Sequence, residues 1–137
     1  MRGREEAILG KIELIIPGEP TTKKNSQQIV VNRSTGRPFI TQSKKYKAFE
    51  REAGWHIRQQ YSGDPIKGTV NVKALFYRKT RRRVDLPNLE EAILDILVKY
   101  GVLADDNFEI VRSQDGSRVY VEPENPRTEI YITAVEE

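Results

Sequence analysis

One stretch decides the fold: PNLEEAILDILVKYG, residues 87–101. Apolar residues recur in it at steps of three and four, the spacing that places them on one face of an α-helix. We therefore predict a helix from Pro87 to Tyr100 that ends at Gly101, because glycine readily adopts the left-handed conformation that follows many helices. The predicted core face consists of Leu89, Ala92, Ile93, Ile96, Leu97 and Tyr100.

Two further faces of this helix carry functional hints. Asn88, Glu91 and Asp95 share a polar stripe beside the core face. Beyond the stripe, a second apolar patch that points away from the predicted core is formed by Pro87, Leu94 and Val98. Several apolar residues on one exposed side favour burial against another chain, so this patch predicts a homodimer.

The rest of the chain alternates between strand and helix patterns. We predict a strand over residues 11–16, a hairpin over residues 27–40, a helix over residues 43–61 capped by Ser43, and strands over residues 69–77, 109–121 and 128–135. The strand over 109–121 contains Asp115-Gly116, a turn signal that can interrupt it. This order predicts a small α+β single domain, residues 1–137, with a mixed β-sheet and two main helices packed largely on one face. Residues 1–10 are treated as a disordered extension.

Composition limits the classes of protein to which the chain can belong. Its 137 residues are 37% hydrophobic and 31% charged, which suits one globular domain without a membrane span. Zero cysteines exclude disulfides and thiolate sites, and the single histidine, His56, argues against a histidine triad or a zinc site. No phosphate-binding loop of the GxxxxGK type is present. The charged first ten residues lack a signal-peptide pattern, so we expect a cytoplasmic protein.

Charge is divided between two parts of the chain. Residues 1–83 contain 19 Lys and Arg against 7 Asp and Glu, whereas residues 84–137 contain 4 against 13. The densest positive segment is RKTRRR, residues 78–83. Arginine binds phosphate oxygens through paired hydrogen bonds, so this segment predicts contact with a nucleic-acid backbone, although a solvated charged surface is the alternative. The same half also contains Lys23, Lys24, Lys44, Lys45 and Lys47.

Six carboxylates follow the basic segment: Asp85, Glu90, Glu91, Asp95, Asp105 and Asp106. Each has a structural explanation, as a helix cap, as an acid in the first helical turn or as part of a polar turn. Their position beside the arginines favours a catalytic interpretation. Carboxylate oxygens are ligands that Mg²⁺ prefers, and a divalent ion assists phosphodiester hydrolysis by activating water and neutralising charge. The sequence leaves open whether Asp106 reaches Asp85.

Residues 81–106, RRRVDLPNLEEAILDILVKYGVLADD, resemble the signature of the RusA family of Holliday-junction resolvases. The shared pattern is a basic strand end, an Asp-x-x-Asn that opens a helix, and then a glycine and a paired Asp-Asp. The segment PTTKKNS, residues 20–26, is similar to the N-terminal half of the same family. The resemblance covers residues 11–135. It implies a small homodimeric endonuclease, bacterial or from a phage, that cuts four-way DNA junctions in recombination and repair with Mg²⁺, for which Mn²⁺ can substitute.

The resemblance also implies roles for individual residues. Asp85 and Asp106 match the first and last catalytic aspartates, Asn88 matches an asparagine of the motif, and Asp95 matches an acidic position in mid-helix. The implied catalytic set is Asp85, Asn88, Glu91 and Asp106, and the implied metal ligands are Asp85, Glu91, Asp105 and Asp106. The implied DNA-binding residues are Lys23, Lys24, Asn25, Arg78, Lys79, Arg81, Arg82 and Arg83.

Two positions depart from the family pattern. The second aspartate of the signature is Pro87 here, and a lysine of the first helical turn is Glu91. Because Glu91 shares the polar stripe with Asn88, we hypothesise that it replaces the missing carboxylate as a metal ligand.

Two other functions remain open at this point. The same fold with an altered site can bind junctions or other nucleic acids without cutting them. An unrelated basic RNA- or ribosome-associated protein, with the acidic half as a solvated surface, is the third interpretation.

Overall fold

The structure is a computed structural model that describes residues 10–23, 27–42 and 44–136. The expectations for residues 1–9, for Lys24 and Asn25, and for the Ser43 cap fall outside the described residues. The elements in the described part are β1 (Lys11–Pro17), β2 (Gln27–Val31), β3 (Pro38–Gln42), α1 (Lys44–Gln60), β4 (Val70–Arg78), α2 (Leu86–Lys99), β5 (Val111–Ser113), β6 (Arg118–Val121) and β7 (Arg127–Ala134). Their order confirms the predicted α+β fold.

The main sheet is mixed. Its strand order is β1-β7-β4-β5, and β6 also pairs with β4. β7 is antiparallel to both β1 and β4, whereas β5 and β6 run parallel to β4. β5 and β6 are separated by the turn around Asp115-Gly116, as the sequence indicated. The hairpin of β2 and β3 forms a separate two-stranded sheet.

Alternating residues of the central strands form the core under the helices. One row of the register joins Leu14, Ile130 and Ala74, and all three side chains are buried. The edge strand β1 is protected at Ile15, because the Gln60 side chain accepts from its N–H at 2.8 Å and donates to its carbonyl at 2.7 Å. These bonds tie the end of α1 to the sheet and satisfy backbone groups that an edge strand otherwise exposes.

Helix α2 is buried over a wider arc than the sequence predicted. Leu94 is only 9% exposed and belongs to the core, and Val98 packs against that core. The prediction that Pro87, Leu94 and Val98 form a free outward surface is therefore wrong, and this patch no longer supports a homodimer. Helix α2 packs against α1 and shares the core cluster with the sheet strands, so its apolar residues are buried on more than one side.

Two glycines have left-handed backbone conformations, and Gly101 is the one that the sequence analysis predicted to end the helix. Gly36 has φ +73° in the β2–β3 turn, and Gly101 has φ +81° directly after the end of α2. A side chain disfavours both conformations, so these turns select glycine.

Neither helix in the described part of the chain has the length and apolar character that a membrane crossing requires.

A third glycine, Gly54, lies where α1 and α2 approach each other closely. A methyl group added at Gly54 of α1 would overlap the ring of Tyr100, which follows α2. The ring is also held under the guanidinium of Arg58, 5.2 Å from its centroid. Gly54 therefore permits the helix contact that fixes the orientation of α2.

We predict that Gly54→Ala destabilises the protein by about 1–2 kcal/mol, because overlap with Tyr100 outweighs the helix-propensity gain of about 1 kcal/mol. Urea denaturation of the two proteins measures this difference. In a Tyr100→Ala background, where the ring is gone, the same substitution should become neutral or stabilising. Stabilisation by Gly54→Ala in the wild-type background would contradict the proposed helix contact.

Candidate active site and nucleic-acid interface

The polar stripe of α2 lies beside the loop that contains Asp106. Asp95 on this stripe is close enough to Asp106 for its negative charge to contribute to a raised pKa of the Asp106 carboxyl group. The largest cause of the raised pKa is burial, followed by a hydrogen bond with Asp105 and by the charges of Asp95 and Asp105. Two acids separated by eleven positions in the chain are thus brought into one electrostatic environment.

The paired aspartates have different surroundings. Asp105 turns into its own loop, where its Oδ1 accepts from the Asp106 N–H at 2.7 Å and its Oδ2 accepts from the Asn107 side chain at 3.2 Å. These bonds shape the turn. Asp106 makes the closer electrostatic link to α2. Of the two, Asp106 is better placed to act on a ligand at the helix.

Asp85 lies at the start of α2 but does not cap it with its side chain. Its backbone carbonyl accepts from the N–H groups of Asn88 at 3.1 Å and Leu89 at 3.3 Å, and its carboxylate makes no cap hydrogen bond. The side chain is exposed. The ordinary explanation of Asp85 as a capping carboxylate is therefore insufficient, and its oxygens remain accessible to a ligand.

The six acids do not gather at one point. Glu90 is half-buried and points to the β5–β6 turn, where burial raises its pKa and a hydrogen bond with Ser117 opposes that rise. Glu91 is exposed on α2. Across residues 10–23, 27–42 and 44–136, no three carboxylate or imidazole groups converge closely enough to form a ready-made metal cage. The expected ligands Asp85, Glu91, Asp105 and Asp106 do not form such a group.

Tyr46 of α1 is also a member of this environment. It is fully buried, and burial raises its pKa, with further contributions from the charges of Glu50, Asp95, Tyr100 and Glu91. The start of α1 therefore faces the polar stripe of α2 (Asn88, Glu91 and Asp95), which we term the acidic stripe. Helical spacing of Tyr46 gave no signal of this role, because the same spacing fits an ordinary core residue.

Lys23 also lies at the acidic stripe. Its Nζ is 2.6 Å from Oδ2 of Asp95, and both side chains are about one-third exposed, at 30% and 34%. Lys23 was expected to bind DNA, and in the structure its ammonium group contacts a carboxylate. Such a partly exposed pair contributes modestly to stability, but it fixes the loop before β2 against α2.

The first residue of the basic segment has a structural role. Arg78 is 9% exposed, its Nε donates to Glu19 at 3.2 Å, and its Nη1 donates to the Arg82 carbonyl at 3.1 Å. Glu19 also accepts from the Lys79 N–H at 3.0 Å. Arg78 is therefore not a free DNA contact. Every second residue of β4 is buried, and this alternation continues to Arg78, one residue beyond the predicted end of the strand. The side chain of Arg78 therefore lies on the buried face of the strand.

The remaining cations of the segment face outward. Lys79, Arg81, Arg82 and Arg83 are exposed. The three arginines line an open cleft together with Val84, Val119 and Val121. Because Arg78 and Glu19 hold the base of this loop, the arginines form a positive surface that leads directly to Asp85.

We predict that Asp106→Asn stabilises the protein at pH 7 by less than about 1 kcal/mol, a limit set by solvent screening at an exposed group. A carboxyl group with a raised pKa favours folding when protonated, and this contribution is lost as the pH rises through the folded pKa. The gain in the variant should therefore shrink at acid pH. Urea denaturation across pH 3–8 measures it, with the exposed Glu124→Gln as control. A variant less stable than wild type at pH 7 would contradict this account of Asp106.

The sequence matches a known protein family over most of its length. The family model described as Endodeoxyribonuclease RusA matches residues 17–133, which include both the acidic stripe and the basic loop. A relative from Aquifex aeolicus (strain VF5), named crossover junction endodeoxyribonuclease RusA, is 28% identical over 97 residues, covering 71% of this chain and 73% of the relative. The matched region spans most of the described structure, and the chain belongs to the RusA family of endodeoxyribonucleases.

Proposed function

We propose that this protein is a magnesium-dependent endodeoxyribonuclease that resolves four-way DNA junctions as a homodimer. Besides the family, one observation supports the proposal. The exposed residues Arg81, Arg82 and Arg83 lead directly into Asp85, whose carboxylate is not engaged in a cap hydrogen bond. A DNA phosphate bound by these arginines comes next to an accessible carboxylate, which is the arrangement that metal-assisted phosphodiester hydrolysis needs.

The donor groups suit magnesium in an open site. Mg²⁺ commonly uses one or two protein carboxylates and takes its other ligands from water and substrate phosphates. Asp85 and Asp106 provide two such carboxylates, and the negative charges around Asp106 favour a cation there. The lack of a three-carboxylate cage in the described residues is compatible with such a site. When bound, the ion supplies activation of water and neutralisation of charge at the phosphate.

The protein side chains divide the remaining work. Arg81, Arg82 and Arg83 bind and orient the backbone through their guanidinium groups. Asp85 and Asp106 are the proposed ion ligands. Glu91, which the structure does not bring into a three-carboxylate group with them, is proposed to contribute its charge in place of the family aspartate that is Pro87 here. Asn88, one turn into α2, offers an amide that can orient a substrate oxygen or a bound water.

The symmetry of the substrate supports the homodimer. A four-way junction has two strands to cut at equivalent positions, and two copies related by a twofold axis would each cut one. The absence of cysteine and the DNA substrate are compatible with a bacterial cytoplasm, or a phage-infected one, as the place of action.

We expect cleavage of a labelled four-way junction to require Mg²⁺ or Mn²⁺ and to fall at least about 100-fold in Asp85→Asn and Asp106→Asn, because each variant removes a charge that holds the ion. Glu91→Gln should lower the rate less and should raise the magnesium concentration needed for half-maximal cleavage. Junction binding should persist in all three variants, because the arginine surface is intact.

Asp64→Asn is the matched control, since Asp64 is exposed in the loop before β4. A linear duplex of the same sequence tests selectivity. Junction binding without cleavage under any divalent ion would favour a binding protein that has lost activity. Unchanged cleavage by Glu91→Gln would remove Glu91 from the ligand set.

A further inference from the structure

The hairpin of β2 and β3, which we term the ribbon, stands apart from the core. It forms its own two-stranded sheet and shares no hydrogen-bonded strand pair with the main sheet. Three of its apolar side chains are nevertheless exposed: Ile29 is 73% exposed, Val31 58% and Phe39 47%. A two-stranded hairpin is marginally stable alone in water, and exposed apolar clusters mark binding surfaces.

Both faces of the ribbon are apolar. Alternation along β2 puts Ile29 and Val31 on one face and Val30 on the other. In the register, Phe39 lies opposite Val30 and therefore shares the second face. Folding the ribbon down onto the protein core would cover one face only. A partner that contacts both faces, such as a pair of separated base-pair stacks, fits this distribution better.

The charge of the segment selects the chemistry of that partner. Seven Lys and Arg residues and no Asp or Glu lie between Glu19 and Glu50. Two of the cations, Arg33 and Arg37, lie at the exposed turn of the ribbon. A second copy of the ribbon would bring the same positive charges together, which is unfavourable, whereas a polyanion would neutralise them.

The chain lies at the acidic stripe shortly before it enters the ribbon and again shortly after it leaves the ribbon. On one side, Lys23 contacts Asp95 at 2.6 Å, four residues before β2. On the other, Tyr46 is buried near Asp95 and Glu91, four residues after β3. A strand rises about 3.4 Å per residue, so five-residue strands extend the ribbon about 17 Å. The ribbon can therefore contact the same DNA molecule as the acidic stripe.

We propose that the ribbon enters the opening of a branched DNA, with Ile29 and Phe39 against unstacked base faces and with Arg33 and Arg37 on the flanking phosphates. This inference rests on the proposed function and adds a source of selectivity to it. A branch point offers base faces that a continuous duplex keeps stacked. Apolar side chains that insert between base steps use the same physics in other DNA-binding proteins.

The test compares the double variant Ile29→Ser/Phe39→Ser with wild type, both in an Asp85→Asn background that prevents cutting. Binding is measured for a four-way junction with 2-aminopurine at the branch point and for a matched linear duplex. We expect the double variant to lose about tenfold or more of its junction affinity, and its 2-aminopurine signal, with duplex affinity unchanged. Ile15→Ser is the control, an exposed apolar residue (48%) on β1, outside the ribbon.

Charge and shape variants sharpen the result. Arg33→Gln/Arg37→Gln should weaken binding to both DNAs and lower the salt slope of log K by about 2, as expected for two phosphate contacts. Ile29→Leu/Phe39→Leu keeps apolar bulk and should retain junction preference, which separates contact with bases from disruption of the ribbon.

The other outcomes are decisive. No junction preference in the Asp85→Asn parent would count against the proposed function itself. Junction preference that is equal in parent and serine variant would overturn the ribbon inference alone. Sedimentation of each variant completes the test, because conversion of a dimer to a monomer by the serine substitutions would show that a second copy occupies the ribbon.

Discussion

Burial of α2 is the constraint on which the rest of the structure depends. Four apolar residues of α2 are at most 2% exposed: Leu89, Ile93, Ile96 and Leu97. Leu94, which is 9% exposed, widens the buried part of the helix surface. A helix held on so much of its circumference has one orientation about its axis, because rotation would expose apolar residues and bury acids. The direction of the acidic stripe is therefore fixed by the packing of the apolar residues on the other faces of the same helix.

The loop between β1 and β2 joins the two charged regions. Glu19 binds Arg78 and the backbone of Lys79, and four residues later Lys23 binds Asp95. One short segment thus anchors the base of the arginine loop and contacts the acidic stripe. Two of the cations that the sequence analysis assigned to DNA, Arg78 and Lys23, are engaged with protein carboxylates. Among the described residues, fewer cations are therefore available to a phosphate backbone than the charge count indicated. The available arginines lie next to Asp85.

Local patterns predicted the elements of this fold well, and they predicted side-chain environments less well. Helical spacing located α2 and the glycine that ends it, because those signals depend on neighbouring residues. The burial of Leu94 depends on tertiary packing, which no pattern within α2 reveals. The burial of Arg78 was not predicted, because burial of a cation becomes favourable with a partner such as Glu19, which is 59 positions away. Family resemblance implied catalytic roles for Asp85 and Asp106, which stay predictions, whereas the electrostatic link between Asp95 and Asp106 required the tertiary structure.

We propose that Asp85 and Asp106 hold one divalent ion beside the arginine loop, and the first measurement to make is a crystal structure with bound Mn²⁺, located by its anomalous scattering. We expect one ion that contacts the carboxylates of Asp85 and Asp106, with Glu91 or water nearby. An ion bound elsewhere, or density that persists unchanged in Asp106→Asn, would contradict it.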